Sequence, residues 1–480
     1  MVRGEQHEVL EPLVMQVLVA LASAAGETLS RDDLIAACWG GRAVTDDALN
    51  RVMSRLRALA RSFGGFHVET ITKVGYRLVT DGDAESATRR PSPISRRAAI
   101  ASGVAVVGAA AAGAAWVLAN DTPKASSNPE VERLIAEARA ATREGMPDDM
   151  ARAAALYKLA TEKDPDSSVA WGGLAGIYRF QWEFSAPEEA PAMAARAKSA
   201  ATRALELDPD NGEAQATLAG LVPMFGNWAT AEEEMRRVLA THPQEIRIRF
   251  GRLLADTGRL GDALRHVRQA VAAEPDVPRV QNFYGRLLQD NGRLAEADGA
   301  FTNALARWPR HLLLWFSRFY FLAYTGRPQM ALSFAAERSG RPIGVPDRVF
   351  DIAFTSAKAL STRAPADVDA AVERHLAAIP EGAAFAENAV TFFSAVGRLD
   401  EAYRVLDVYY FGRGPAISDS RFGHETATYT PKYNRQCYFL FYGPSARLRA
   451  DPRFGPLVRE IGLEAYWRQT GTMPDFRRTA

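Results

Sequence analysis

Apolar residues recur at three- and four-residue intervals over Leu10, Leu13, Val14, Val17, Leu18 and Leu21, which predicts a helix starting at about Pro12 and ending before Gly26. Ser30, followed by Asp32 and Asp33, reads as the N-cap of a second helix with Leu34, Ile35 and Cys38 inside and Trp39-Gly40 at its close. Thr45 caps a third, with Asp46 and Asp47 near its positive end. Its core stripe is Leu49, Val52, Met53, Leu56 and Leu59, leaving Asn50, Arg51, Ser54, Arg55 and Ala58 on the other side. Alternating residues then predict strands at Val68–Ile71 and Tyr76–Val79, joined by Thr72-Lys73-Val74-Gly75 with Gly75 supplying positive φ.

The pattern changes after residue 80. Residues 81–97 are polar, with two Pro and no period, and predict a flexible basic linker. Residues 98–119 carry no charge over 22 positions, 11 of them Ala, and predict a transmembrane helix. Arg89, Arg90, Arg96 and Arg97 precede that run and only Lys124 follows closely, so the expected topology is a single pass of the bacterial inner membrane, N-terminus cytoplasmic and C-terminal domain periplasmic. A buried helix of a soluble domain and a leader cleaved after Val117-Leu118-Ala119 are alternative readings of the same run.

From residue 128 a longer period takes over. Pro209, Pro243, Pro275 and Pro309 are 34, 32 and 34 residues apart, and Gly226, Gly258, Gly292 and Gly326 are 32, 34 and 34 apart. Ala231, Ala263, Ala297 and Ala331 each stand five residues after a glycine, small enough for paired helices to approach closely. This spacing resembles the tetratricopeptide repeat and predicts an α-solenoid over 128–410. Its concave face is expected from the first helix of each unit, giving Arg247, Arg249, Arg252, Asn282, Arg286 and Gln289 as partner-facing residues. The period fails over 411–480, expected to be a capping segment in which Tyr466, Trp467 and Phe476 seal the last helix pair.

Charge distribution sharpens the N-terminal reading. Residues 1–47 hold three Arg against eight Asp/Glu, whereas 48–80 hold Arg51, Arg55, Arg57, Arg61, Lys73 and Arg77 against Glu69 alone. A basic helix-and-hairpin half on an acidic support suits a polyanion. Arg51 and Arg55, one turn apart, suit base edges in the major groove. Thr45, Ser54, Arg57 and Arg61 suit phosphates. Two Cys and seven scattered His give no disulfide framework and no metal site, and no nucleotide-binding, nucleophile-elbow or zinc-protease motif occurs. The expectation is a non-enzyme without cofactor.

The segments SRDDLIAACWG, DDALNRVMSRLRALA and ETITKVGYRLV are similar to the OmpR/PhoB-type winged helix, and Lys73 before Gly75-Tyr76 resembles the CadC-like membrane-bound regulators. That resemblance covers about residues 8–80. It implies a winged helix-turn-helix with Asn50, Arg51 and Arg55 toward bases, Ser54 and Arg57 toward phosphates, and Thr72, Lys73 and Arg77 in the wing. Such domains open with a small β-sheet, so with about nine residues before the first helix a truncated sheet or a misassigned start is expected. The fold class expected is mainly α: a winged helix, one transmembrane helix and a solenoid of helix pairs. The expected function is a membrane-anchored one-component transcriptional regulator, binding double-stranded promoter DNA as a homodimer and sensing a protein, peptide or small-molecule cue through its repeats. The alternative is an envelope scaffold whose winged helix no longer binds DNA.

Overall fold

The computed structural model describes residues 2–3, 6–7, 12–23, 29–30, 34, 52–53, 55–57, 59–60, 66–71, 75–80, 128–144, 147–422 and 428–478. They fall in two units, Met1–Ala115 and Trp116–Ala480.

In the first unit, β1 (Val2–Arg3) pairs antiparallel with β2 (Gln6–His7). Helix α1 (Pro12–Ser23) buries Val14, Val17 and Leu21, as its period requires. A three-stranded sheet follows in the order β3 (Leu29–Ser30), β5 (Gly75–Thr80), β4 (Phe66–Ile71). Both hairpin strands extend beyond the expected four residues. Ser30 is the last residue of β3, opposite Gly75, and Gly75 also pairs with Ile71, so it belongs to the ladder. Residues 52–53, 55–57 and 59–60 are helical. Val52, Met53, Leu56 and Leu59 join Leu34, Val68, Tyr76 and Leu78 in one core with α1.

Residues 98–119 lie outside the described residues, and among the described residues no helix is long and apolar enough to cross a membrane. The longest described helix, 18 residues at Ala190–Leu207, carries Arg196, Lys198, Arg203 and Glu206 on its length. This counts against the transmembrane part of the expected fold class and against the expected single-pass inner-membrane location.

The second unit is a stack of antiparallel helices: α2 (Pro129–Glu144), α3 (Pro147–Lys163), α4 (Ser168–Phe184), α5 (Ala190–Leu207), α6 (Gly212–Gly220), α7 (Trp228–Thr241), α8 (Pro243–Asp256) and α9 (Leu260–Ala273). It continues with α10 (Pro278–Asp290), α11 (Leu294–Arg307), α12 (Leu312–Tyr324), α13 (Pro328–Ala336), α14 (Asp347–Thr362), α15 (Pro365–Ala378), α16 (Ala383–Val396) and α17 (Leu399–Leu406). The periodic glycines are the hinges between paired helices. Gly226, Gly258, Gly292 and Gly326 have φ of +79°, +76°, +72° and +79°. At α8 the Gly258 N–H bonds Ala255 O at 3.1 Å and the Arg259 N–H bonds Leu254 O at 2.8 Å, a Schellman closure that uses the orphan carbonyls of the helix end. The same pair of bonds recurs at Gly292-Arg293 and Gly397-Arg398. Close helix approach depends on the other small residues: a Cβ on Gly251 would lie 2.8 Å from Val267, and one on Gly285 2.7 Å from Phe301.

Beyond α17 the chain makes a π turn at Asp407–Phe411 and then short 3-10 turns at Lys432–Asn434, Tyr438–Phe441 and Gly443–Ser445. It ends in α18 (Ala446–Ala450), α19 (Phe454–Glu460), α20 (Leu463–Thr470) and α21 (Asp475–Arg478). Its first part packs on the last helix pair, where the Leu448 N–H donates to Ser394 Oγ at 3.1 Å and Arg453 pairs with Asp400 at 2.8 Å, but Tyr466, Trp467 and Phe476 do not seal that pair. Trp467 Nε1 donates to Thr257 O at 2.9 Å, Tyr466 Oη donates to Glu232 at 2.6 Å, and Phe476 stacks on Phe441. The chain therefore folds back onto its middle repeats.

Candidate nucleic-acid interface and concave groove

Helical residues 52–53, 55–57 and 59–60 bury Val52, Met53, Leu56 and Leu59 in the core shared with the sheet, and Arg55 is exposed. Arg57 is half-buried and its Nη2 donates to Thr70 Oγ1 at 2.6 Å, tying helix to hairpin. Arg77 sits directly across the ladder from Glu69, and their side chains pair at 2.5 Å. Arg77 and His67 hydrogen-bond the Glu69 carboxyl and hold it below its ordinary range. Each pair braces the wing and uses a cation expected to contact DNA, Arg57 at a phosphate and Arg77 in the wing. Thr45, Asn50, Arg51, Ser54, Arg61, Thr72 and Lys73 lie outside the described residues.

The groove of the second unit is built from α4, α6, α8 and α10. Because α8 and α10 each end on a periodic glycine, their equivalent residues fall in rows. Arg252 and Arg286 each stand six residues before such a glycine, and Asp256 and Asp290 each stand two before it. Both rows face the chain's own C-terminal segment. Asp256 Oδ1 accepts the backbone N–H groups of Cys437 and Tyr438 at 2.8 and 2.9 Å, and Asp290 accepts that of Gly443. Burial pushes the Asp290 carboxyl up to about 7 and raises that of Asp256 as well. The Arg286 guanidinium lies 4.9 and 4.8 Å from the Tyr438 and Tyr442 rings and donates to Tyr438 Oη at 3.3 Å. Two successive repeats thus grip a chain folded into 3-10 turns by its backbone amides and its aromatic faces.

Behind this lies a buried ionic hub. Glu183 takes Arg249 at 2.8 Å, Arg179 at 3.2 Å and Arg252 at 3.4 Å. Burial alone would raise its carboxyl, but Arg249, Arg252 and Arg179 outweigh that and hold it at about 2. Gly220 makes the room, because a Cβ there would lie 2.5 Å from Arg179 Cδ and 3.3 Å from Arg249 Nε. A second hub joins Glu387 to Arg421 at 3.2 Å and to Tyr409 Oη at 2.7 Å, and Arg435 pairs with Asp419 at 2.6 Å.

Of the six residues expected to face a partner, Arg249, Arg252 and Arg286 are engaged within the molecule, and Asn282 is buried. Arg247 bonds Gln244 on its own helix, and Gln289 is half-buried. Sequence reasoning missed Glu183, Asp256, Asp290 and the whole segment they hold. A signal did exist: Asp-x-Gly recurs at Asp256/Gly258 and Asp290/Gly292, an acid repeating at the full period in a helix end that needs none for its own capping.

Residues 5–78 match the family described as transcriptional regulatory protein, C terminal, so the first unit carries an OmpR/PhoB-type winged-helix domain. Residues 193–256 match the tetratricopeptide repeat family. No curated protein matches the chain. Among solved structures, a tetratricopeptide repeat protein from Parabacteroides merdae is 16% identical over 52% of this chain and 92% of its own, with a TM-score of 0.32. PilW, a type IV pilus biogenesis factor, is 21% identical over 44% and 93%, also at 0.32. A repeat protein of Thermus thermophilus is 18% identical over 40% and 98%, at 0.31.

Proposed function

We propose that this chain is a one-component transcriptional regulator, in which the winged helix binds double-stranded promoter DNA and the repeat unit receives a protein, peptide or small-molecule cue. The observation that carries this reading is Arg55, exposed on helical residues 55–57 and beside an antiparallel hairpin that packs Val68, Tyr76 and Leu78 into the shared core. That arrangement supports insertion of a helix in the major groove with the hairpin alongside. The repeats then act by shifting the population of DNA-competent molecules, by as much as the cue's preference for one state allows. Catalysis has no part in this reading.

The test is DNA binding by the full chain and its Arg55→Ala variant across a salt series. A base or phosphate contact predicts a loss of about 1–3 kcal/mol or a shallower salt slope. Unchanged affinity together with an unchanged salt slope would sink the proposal.

A further inference from the structure

Residues 428–436 (TYTPKYNRQ) lie against the C-terminal end of α4 and hold it in a way that another chain could copy. The last carbonyls of a helix have no partner within it. Here Asn434 Nδ2 donates to Glu183 O at 3.0 Å, and the Tyr429 N–H donates to Phe184 O at 3.0 Å. The Tyr433 ring stacks on Trp182 at 5.5 Å, with the planes 13° apart. The wall thus offers an aromatic shelf, two carbonyl acceptors and, behind them, the Arg249 guanidinium. The segment answers with one ring, one carboxamide and one backbone N–H.

The fit is incomplete. Tyr433 Oη, Asn434 Oδ1 and Arg435 Nε and Nη1 on the segment, with Arg249 Nε and Nη2 on the wall, are buried and hydrogen-bond nothing within the described residues. A buried donor or acceptor left unmade is costly, so this contact falls well short of what its area could give. The next stretch differs: Phe439, Leu440 and Phe441 are 2, 0 and 4% exposed and belong to the main core. Residues 428–436 are held on their other side, where the Thr430 N–H donates to Asp419 O at 2.6 Å, Arg435 pairs with Asp419 at 2.6 Å and Tyr410 Oη donates to Gln436 O at 2.7 Å. The unmet groups therefore gather on the face turned to α4, and it is this face that can part from the wall while 439–441 stays.

We propose that residues 428–436 are a displaceable internal ligand covering a subsite of Trp182, Glu183, Phe184 and Arg249, and that this subsite takes a peptide bearing an aromatic side chain next to an amide donor. This rests on the reading that the repeat unit receives a protein or peptide cue, and it names the chemistry of that cue. The occupant is chosen by what already sits there: one ring on Trp182, and N–H groups on the two helix-end carbonyls.

Two measurements on the full chain test it. Hydrogen exchange of the wild type is expected to show the Tyr429 and Asn434 amides opening at least tenfold faster than those of Cys437 and Tyr438, which Asp256 holds. Exchange of all four only with the core helices would overturn the proposal. In the second, a labelled, end-blocked peptide of sequence 428–436 is titrated into wild type and into a Tyr433→Ala/Asn434→Ala variant. The variant, its own segment weakened and its wall intact, is expected to bind at least tenfold tighter, and a peptide with Ala in place of the ring at 433 is expected not to bind. A variant of unchanged helicity that binds no better than wild type would overturn the proposal. If the variant fails to fold, the exchange measurement decides alone. Neither arm involves DNA, so failure here leaves the DNA-binding reading standing.

Discussion

Glu183 and Glu213 project from neighbouring helices of the same groove, α4 and α6, and burial works against the charge of both. Three arginines within 3.4 Å hold Glu183 ionised, at about 2. Glu213 has burial and then the like charge of Glu245 against it, and it is pushed up to about 7. Its side chain fills the notch left by Gly176, where an added Cβ would lie 2.8 Å from Glu213 Oε1. One carboxylate organises the groove, while the other is a liability within it. Burial sets the stakes for a charged group, and the neighbours decide the sign.

Replacing Glu183 by Gln should give the largest effect. It keeps the shape but leaves Arg179, Arg249 and Arg252 without their shared carboxylate, and roughly 3–5 kcal/mol of unfolding free energy should be lost in a denaturant titration near neutral pH. The folded-state carboxyl lies below the ordinary 4.5, so wild-type stability from this site is complete above pH 4.5 and fades as pH falls toward 2. The gap between wild type and Glu183→Gln should close over that window. A constant gap would mean that packing, and not charge, holds α4 to α8.

A second comparison separates the repeat seam from the back-folded C-terminal region. Gly258 and Gly292 share the left-handed conformation, so Ala at either should cost about 1 kcal/mol from backbone strain. Around Gly292 there is open space, whereas a Cβ on Gly258 would lie 2.9 Å from Pro474 and 3.0 Å from Phe441. Gly258→Ala should therefore be worse than Gly292→Ala by about another 1–2 kcal/mol. Equal losses by thermal unfolding would show that the C-terminal region does not press on this hinge.

The effect of Glu213→Gln has the opposite sign. The folded-state carboxyl is raised above 4.5 to about 7, so the folded protein holds its proton more tightly than the unfolded chain, and wild-type stability falls as pH rises through that interval. Glu213→Gln should match wild type near pH 4 and exceed it above pH 7, by less than about 3 kcal/mol. A variant less stable than wild type at pH 8 would show that an ionised Glu213 finds a cation.

The parts of this fold that were legible in the sequence are those whose cause is local. Gly226, Gly258, Gly292 and Gly326 announced the hinges because a helix end with positive φ needs glycine wherever it recurs. The hairpin strands were legible from alternation, and the stripe of Val52, Met53, Leu56 and Leu59 from the helical period. Leu29–Ser30 was not, because a two-residue strand has no period to read. The groove residues were half legible. Position along the repeat put Arg249, Arg252 and Arg286 on the right face, but nothing local says that the face is already engaged. The Asp256 contact to Cys437 joins residues 181 apart, and that of Asn434 to Glu183 joins residues 251 apart. For the same reason Tyr466 and Trp467 read as a seal on the nearest helices when they pack on the middle of the stack.

Those long closures change how such a domain should assemble. An ordinary stack of helical repeats behaves as a one-dimensional array, folding from any point and fraying from either end. Here Trp467 reaches Thr257 and Tyr466 reaches Glu232, across 210 and 234 residues, so the middle of the array is completed only by residues translated long after it. Loop closure of that length slows folding and couples distant units into one transition. A nascent chain that has emitted α8 and α10 presents a bare groove of charged and aromatic residues until the segment around Asn434 leaves the ribosome.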